Sequence, residues 1–323
     1  MSGRAELLAD RGEAAADEEF FRSRPFLDAE GATHTLRIET DEAELLAPLI
    51  VHEIPGGEGR DASSPYAYPG LALRAASEID HTLAGSKSAA PIDPGNVDWS
   101  GTDLVSVFIR HALTEPLLAG AAERNLVQIA DPELPRKSRA SDRNQVNRNR
   151  RAGYEVRLVP GAETTPADRA GFLAVYEQTM RRAGAGERYF FGSVYFDRIL
   201  ESTRAWLALA HAPGGRVAAA SIAVRSDGYL HYYLSGSTDA QLRDSPMKNV
   251  VSALVDFAAE QGLPLNLGGG IARADRLEEF KRGFANREQA WCSSEIVCDP
   301  ATYARLSADR EPGGYFPAYR APS

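Results

Sequence analysis

The sequence is short of cysteine and histidine, and it has no long apolar run. Cys292 and Cys298 are the two cysteines in 323 residues. Six apart on an expected strand, they share a face but stand roughly 20 Å apart, too far to pair without a bend. Reduced thiols in a cytoplasmic setting are therefore expected. The longest apolar runs, such as VAAASIAV at 217–224, fall far short of the ~20 residues that cross a bilayer, so no membrane span is expected. The opening MSGRAELLADRGEAAADEEFF is acidic, without the apolar core of an export signal. Histidines at 34, 52, 81, 111, 211 and 231 are scattered. With neither HExxH nor a Cys/His cluster, no metal or other resident cofactor is expected. GxGxxG, GxxxxGK[ST] and GxSxG are all missing, which leaves dinucleotide binding, P-loop chemistry and serine hydrolysis unsupported.

Positive charge is also scarce: the formal net charge is −9, which argues against wholesale coating by nucleic acid. One segment departs from this. RKSRASDRNQVNRNRR, 136–151, is arginine-rich with Asp142 as its one acid. It reads either as a solvated basic helix or as a phosphate-facing ridge for a nucleotide or a tRNA end.

Composition is that of an ordinary globular chain, 43% hydrophobic and 25% charged, and long enough for two domains. In the first half, 34–55, 103–113 and 126–130 read as strands, 70–90 as helical or irregular, and DEEFFRSRPFLDAEG as a lead-in packing Phe20, Phe21, Phe26 and Leu27. YEVRLV at 154–159 reads as a strand. The spacing of Phe172, Val175, Tyr176 and Thr179 predicts a helix over 166–184. Three strands follow at 203–212, 216–226 and 229–236, linked by Gly214-Gly215 and Asp227-Gly228, which are hairpin signals. SPMKNVVSALVDFAAEQG predicts a helix with Ser245 at the N-cap, Pro246 at N1 and Gly262 past the end. Strand 263–267, helix 275–284 and strand 288–298 complete a mixed α/β sheet.

The segment LNLGGGIARADRLEEFKRGFA, 265–285, stands apart. Asp275 and Glu278 have capping-box spacing. At 100° per residue, Leu277, Phe280 and Phe284 form an apolar stripe, with Lys281 at its rim and Arg282 toward water. A lysine there either snorkels to water or meets a negative partner. Gly268, Gly269 and Gly270 follow a buried strand, beyond whose end a ligand could bind. They permit positive φ and close backbone approach. On the preceding strand, Tyr229, His231 and Tyr233 share one face, and Leu230, Tyr232 and Leu234 the other.

The run YYLSG…SPMKNVVSALVDFAAEQG…LNLGGG…DRLEEFKRGF resembles the second lobe of Fem-type transferases of the GNAT acyltransferase superfamily. YEQTMRRAGAGERYFFGSVYFDRIL (176–200), SPYAYPG (64–70) and VSVFIRHAL (105–113) extend the resemblance over most of 20–305. Ala67 departs from the family's Tyr-Gly-Tyr-x-Gly loop. The resemblance implies two GNAT-like lobes, 1–150 and 151–323, with a cleft between them and the C-terminal tail packing on the first. It implies transfer of an aminoacyl group from aminoacyl-tRNA to the amine of a cell-wall precursor, peptide or small natural product. By motif position Phe280 and Lys281 fall at the transfer site. Candidate donor contacts are Ser235, Arg243, Lys248 and Gly268–Gly270; candidate acceptor contacts are Tyr66, Tyr68, His231 and Tyr232. His231 and Tyr232 are also the candidates for a base. Relatives that use acyl-CoA hold its pyrophosphate with spaced glycines, which STDAQLRDSPMKN lacks, and this favours tRNA. An acyl-CoA N-acyltransferase and a non-catalytic binding protein of the same fold are the alternatives.

Overall fold

The computed structural model describes residues 3–10, 19–56, 59–75, 90–270, 275–310 and 314–321. In chain order the elements are β1 (Gly3–Leu8), α1 (Arg24–Glu30), β2 (His34–Glu39), β3 (Ala43–Glu53), β4 (Arg60–Ser63), β5 (Ala72–Ala75), β6 (Val97–Asp98), β7 (Leu104–Arg110), β8 (Ala122–Ala130), α2 (Ala140–Arg151), β9 (Glu155–Pro160), α3 (Pro166–Arg182), α4 (Ser193–Leu200), β10 (Ala205–His211), β11 (Val217–Ser226), β12 (Tyr229–Ser237), α5 (Met247–Glu260), β13 (Leu265–Asn266), α6 (Arg276–Arg282), β14 (Arg287–Val297) and α7 (Pro300–Ser307). Most of the helical or irregular stretch expected at 70–90 lies outside the described residues, as do His81 and Ile271–Ala274 of the glycine segment.

The chain divides into two compact units, Met1–Arg124 with Trp291–Ser323, and Asn125–Ala290. This differs from the expected halves meeting at 150/151. The basic helix α2 packs on α5 and so belongs to the second unit, while the chain returns to the first at Trp291.

In the first unit the strand order is β6-β1-β2-β3-β4-β7-β14, with β5 also on β3. Pairs β1/β6 and β4/β7 are parallel and the others antiparallel, so the sheet is mixed. Leu36, Ile38, Leu45, Leu49, Val107 and Ile109 fill its core. Phe20, Phe21, Phe26 and Leu27 are fully buried, as the lead-in reading expected. The C-terminal tail docks in this unit. Asp61, buried on β4, accepts from Arg320 Nε at 2.6 Å and from Tyr319 Oη at 3.0 Å.

In the second unit the order is β8-β13-β12-β11-β10-β9, with β12/β13 parallel and the rest antiparallel. Ala208 and Ala210 of β10 pack under Val250, Val251 and Leu254 of α5. Leu207 and Leu209 alternate to the other face, where α4 packs. Each large aliphatic side chain so buried contributes about 1.5–3 kcal/mol before chain entropy is counted. Helix α3 starts with a capping box, Thr165 accepting from Asp168 N at 3.1 Å and Asp168 accepting from Thr165 N at 3.0 Å.

Two local expectations fail. Ser245 is not an N-cap: it adopts φ 47°, Pro246 takes the cap position, and no side chain caps α5. The preceding short 3-10 turn, Leu242–Asp244, forces the left-handed residue. Helix α6 is rotated from its expected phase. Leu277 is 38% exposed, whereas Glu278 and Lys281 face inward at 3% and 8%. Apolar spacing alone puts Leu277 inside; the structure puts there the two charges that have partners.

Candidate functional site

The site is built where β12 and β13 part. These parallel strands pair only at Leu230↔Leu265 and His231↔Asn266. Beyond that, β12 shifts register against β11 between Ile222 and Ala223, leaving Tyr233 as a bulge. The β13 chain turns instead to β8: Leu267 N donates to the Gln128 carbonyl at 2.9 Å, and Gln128 N to the Gly268 carbonyl at 3.1 Å. The three glycines therefore leave the sheet beside β8 rather than β12.

Each glycine has a local reason. Gly268 has φ 75°, a conformation that a side chain disfavours. A Cβ at Gly269 would stand 2.5 Å from Asn125 Nδ2 and 2.8 Å from the Leu126 carbonyl oxygen. The Gly270 carbonyl accepts from Asn125 Nδ2 at 3.2 Å. A buried chain of hydrogen bonds sets the loop from behind. His231 Nε2 donates to the Ser226 carbonyl at 3.2 Å, and Asn266 Nδ2 donates to His231 Nδ1 at 3.0 Å. Asn266 Oδ1 then accepts from Gly268 N at 2.8 Å. Burial lowers the His231 pKa to about 4, so the ring is neutral and this tautomer is consistent along the chain.

Lys281 closes the arrangement. Its Nζ donates to the Gly269 carbonyl at 2.7 Å. Burial lowers its pKa from 10.5 to about 8, opposed by the nearby Asp275 carboxylate. Asp275 caps α6, accepting from Glu278 N at 2.7 Å. Arg139 holds the helix from the side, donating to the Glu279 carbonyl at 3.0 Å. The glycine carbonyl is thus a partner for the lysine. An ammonium has three donors, and two of those on Lys281 have no acceptor among the described residues. Phe280 is half-buried, its ring 5.7 Å from that of Phe284.

The remaining candidates are distributed unevenly. Ser235 shares a 2.6 Å hydrogen bond with Tyr232, whose phenol burial pushes up to about 12. Lys248 is 2.8 Å from Asp142, tying α5 to α2. Arg243 is exposed, with no charged partner among the described residues. All of these lie in the second unit. Tyr66 and Tyr68 belong to the first, where Arg110 stacks over the rings of Tyr66, Phe108 and Trp291. Asn266, Gln128 and Asn125 were not singled out from sequence. The one signal was an asparagine ending a strand just before the glycines.

Among the described residues, no group of His, Cys, Asp or Glu is placed to hold a metal ion. No described helix is long and apolar enough to cross a membrane.

Residues 136–282 match the acetyltransferase (GNAT) domain family, a span that includes Lys281 and every other candidate of the second unit. No curated protein matches the chain. Among solved structures the chain is similar to FemX, at TM-score 0.60 and 11% identity, over 93% of this chain and 99% of that one. It is similar to the C-terminal domain of a putative lysylphosphatidylglycerol synthetase from Agrobacterium fabrum, at TM-score 0.58 and 14% identity, over 93% and 96%. A conserved protein of unknown function from Bacteroides thetaiotaomicron matches at TM-score 0.50 and 12% identity, over 88% and 92%. At these identities the likeness to solved structures is one of fold. The chain is therefore a member of the GNAT acyltransferase superfamily, with residues 136–282 as its acyltransferase domain and with the fold of FemX.

Proposed function

We propose that this protein forms an amide by moving an aminoacyl group from aminoacyl-tRNA to the amine of a cell-wall precursor, a peptide or a small natural product, in the cytoplasm. The observation that carries the reading is the buried Lys281 ammonium, bound to one glycine carbonyl and with two donors left over. In a poorly hydrated place, such a cation favours an oxyanion strongly. The acceptor's nitrogen lone pair attacks the ester carbonyl, and the carbonyl π electrons move onto oxygen, which Lys281 stabilises. As the tetrahedral species collapses, the carbon–oxygen bond to the ribose breaks. The proton lost by the amine ends on the leaving ribose hydroxyl. Phe280 lies beside the reacting group, and the loop of Gly268–Gly270 lets the donor's end pass close to backbone. Ser235, Arg243 and Lys248 are on the donor's side, and Tyr66 and Tyr68 on the acceptor's.

His231 and Tyr232 have a different place in this reading. Both ring nitrogens of His231 are engaged inside the protein, and burial raises the Tyr232 phenol well away from neutrality. Neither serves as the base. His231 positions the glycine loop through Asn266. The likeness to a protein named for making lysylphosphatidylglycerol, an aminoacyl ester, supports aminoacyl transfer over acetyl transfer. Acyl-CoA is the second reading, favoured by the acetyltransferase description of the matched family.

The test offers charged, radiolabelled aminoacyl-tRNA pools and acetyl-CoA in parallel, each with candidate amines. Transfer abolished by RNase supports the tRNA reading; release of CoA supports the second. Lys281→Ala is expected to lower kcat by about 10²–10³ while retaining native circular dichroism. Full activity in that variant overturns the assignment.

A further inference from the structure

A second site lies on the outer side of α2 and α5. An open pocket of ≈ 420 Å³ is lined by Arg143, Asn147 and Arg150 of α2, together with Arg136, Ser138 and Ser252. Arg143, Val146, Asn147 and Arg150 follow the i, i+3, i+4, i+7 pattern of one helix face. Val146 is buried, and the two arginines and Asn147 are exposed. Arg136 is engaged by Asp256 at 2.5 Å, which leaves that acid neutralised. Arg143 bonds only to Ser138, and neither Arg143 nor Arg150 has a carboxylate partner among the described residues.

The spacing suits a repeating anion. Seven residues of helix carry Arg150 about 10 Å beyond Arg143, which corresponds to about three phosphates along one strand of a duplex at ~3.4 Å each. Ser138, Ser252 and Asn147 supply neutral donors of the kind that contact phosphate and sugar. In a chain of net charge −9, a concentrated positive face orients a polyanion by steering it to one place. The pocket also adjoins the transfer helix: Phe284, three residues beyond Lys281, lines it, and Arg139 ties the start of α2 to α6.

We infer that the Arg136–Arg143–Arg150 pocket grips the phosphodiester backbone of the donor RNA's acceptor arm. The inference rests on the tRNA reading of the transfer site and assigns that donor a second point of attachment. It reads shape and charge, without base contacts.

The experiment measures fluorescence anisotropy of a labelled, uncharged acceptor-stem RNA hairpin between 50 and 200 mM salt. Arg143→Ala/Arg150→Ala is expected to weaken binding at least tenfold at 50 mM. It should also reduce the slope of log K against log salt by about 1.8, two contacts at ~0.9 each. Arg143→Lys/Arg150→Lys should keep most of the slope, and Arg216→Ala, an exposed hairpin arginine, should change neither quantity. Thermal melts should match wild type, since both residues are exposed. A double alanine variant that binds the hairpin with wild-type affinity and slope overturns the pocket, and leaves the tRNA reading standing if wild type still transfers from aminoacyl-tRNA. A wild type that binds no hairpin but consumes acyl-CoA overturns both.

Discussion

Lys281→Met tests how dry the transfer site is. In the folded protein burial brings the lysine pKa from 10.5 to about 8. Each pKa unit is about 1.4 kcal/mol, so the buried charge costs about 3 kcal/mol relative to the neutral amine. Below pH 8 the lysine is protonated in both the folded and unfolded states, and the folded protein carries that full cost. Between about pH 8 and 10.5 the unfolded chain still binds a proton that the folded state has released. Stability from this residue therefore rises with pH across that window and is level above it. Methionine removes the charge but leaves the Gly269 carbonyl without its donor, a loss of about 1–3 kcal/mol. The two effects nearly cancel at pH 7. Urea unfolding of wild type and Lys281→Met at intervals from pH 7 to 11 isolates the lysine, because other titrating groups are common to both. Wild type should be within ~2 kcal/mol of the variant at pH 7 and pull ahead by a further ~3 kcal/mol by pH 11. A difference that stays level across the range refutes a desolvated ammonium, and with it the electrostatic account of transfer. Activity should move the opposite way, falling above pH 8 as the cation is lost.

The loop behind the lysine gives two further tests. Gly269→Ala must displace Asn125 or push against the Leu126 carbonyl, so it should lower unfolding free energy by about 1–3 kcal/mol and reduce transfer by shifting the carbonyl that holds Lys281. Asn266→Ala leaves His231 Nδ1 and the Gly268 amide unpaired inside the protein. It should destabilise by about 2–4 kcal/mol and lower kcat more than it alters KM, as expected of a positioning residue.

Much of the second unit was legible from the sequence, because the signals there are local and agree with one another. The three-strand meander, α3 and α5 fall within a few residues of their expected spans, since alternation, helical spacing and turn glycines mark the same boundaries. The oddity of Lys281 was legible as well. The phase of α6 was not. Over seven residues, apolar periodicity fixes a helix face poorly, and here an ammonium with a carbonyl partner and a carboxylate near Arg282 took the inside at Leu277's expense. Ser245 read as a cap because the tight turn before it leaves no trace in composition. The glycines were read as room for a ligand. Gly269 is also small because Asn125 and Leu126, more than 140 positions away, press on it, and no local pattern encodes such a neighbour. The unit boundaries escaped for a similar reason, since the return of the chain at Trp291 depends on pairing of β14 with β7.

That return has a consequence for synthesis. The first unit is assembled from both ends of the sequence, with the second inserted whole. On a ribosome adding ~5–20 residues each second, the strand that completes the edge of β7 emerges on the order of ten seconds after β7 itself. So do Tyr319 and Arg320, which satisfy the buried Asp61. The inserted segment is contiguous and can fold as it leaves the tunnel. The other unit must wait with an open strand edge and an uncompensated carboxylate, and a nascent chain stalled before Trp291 is the form most exposed to aggregation.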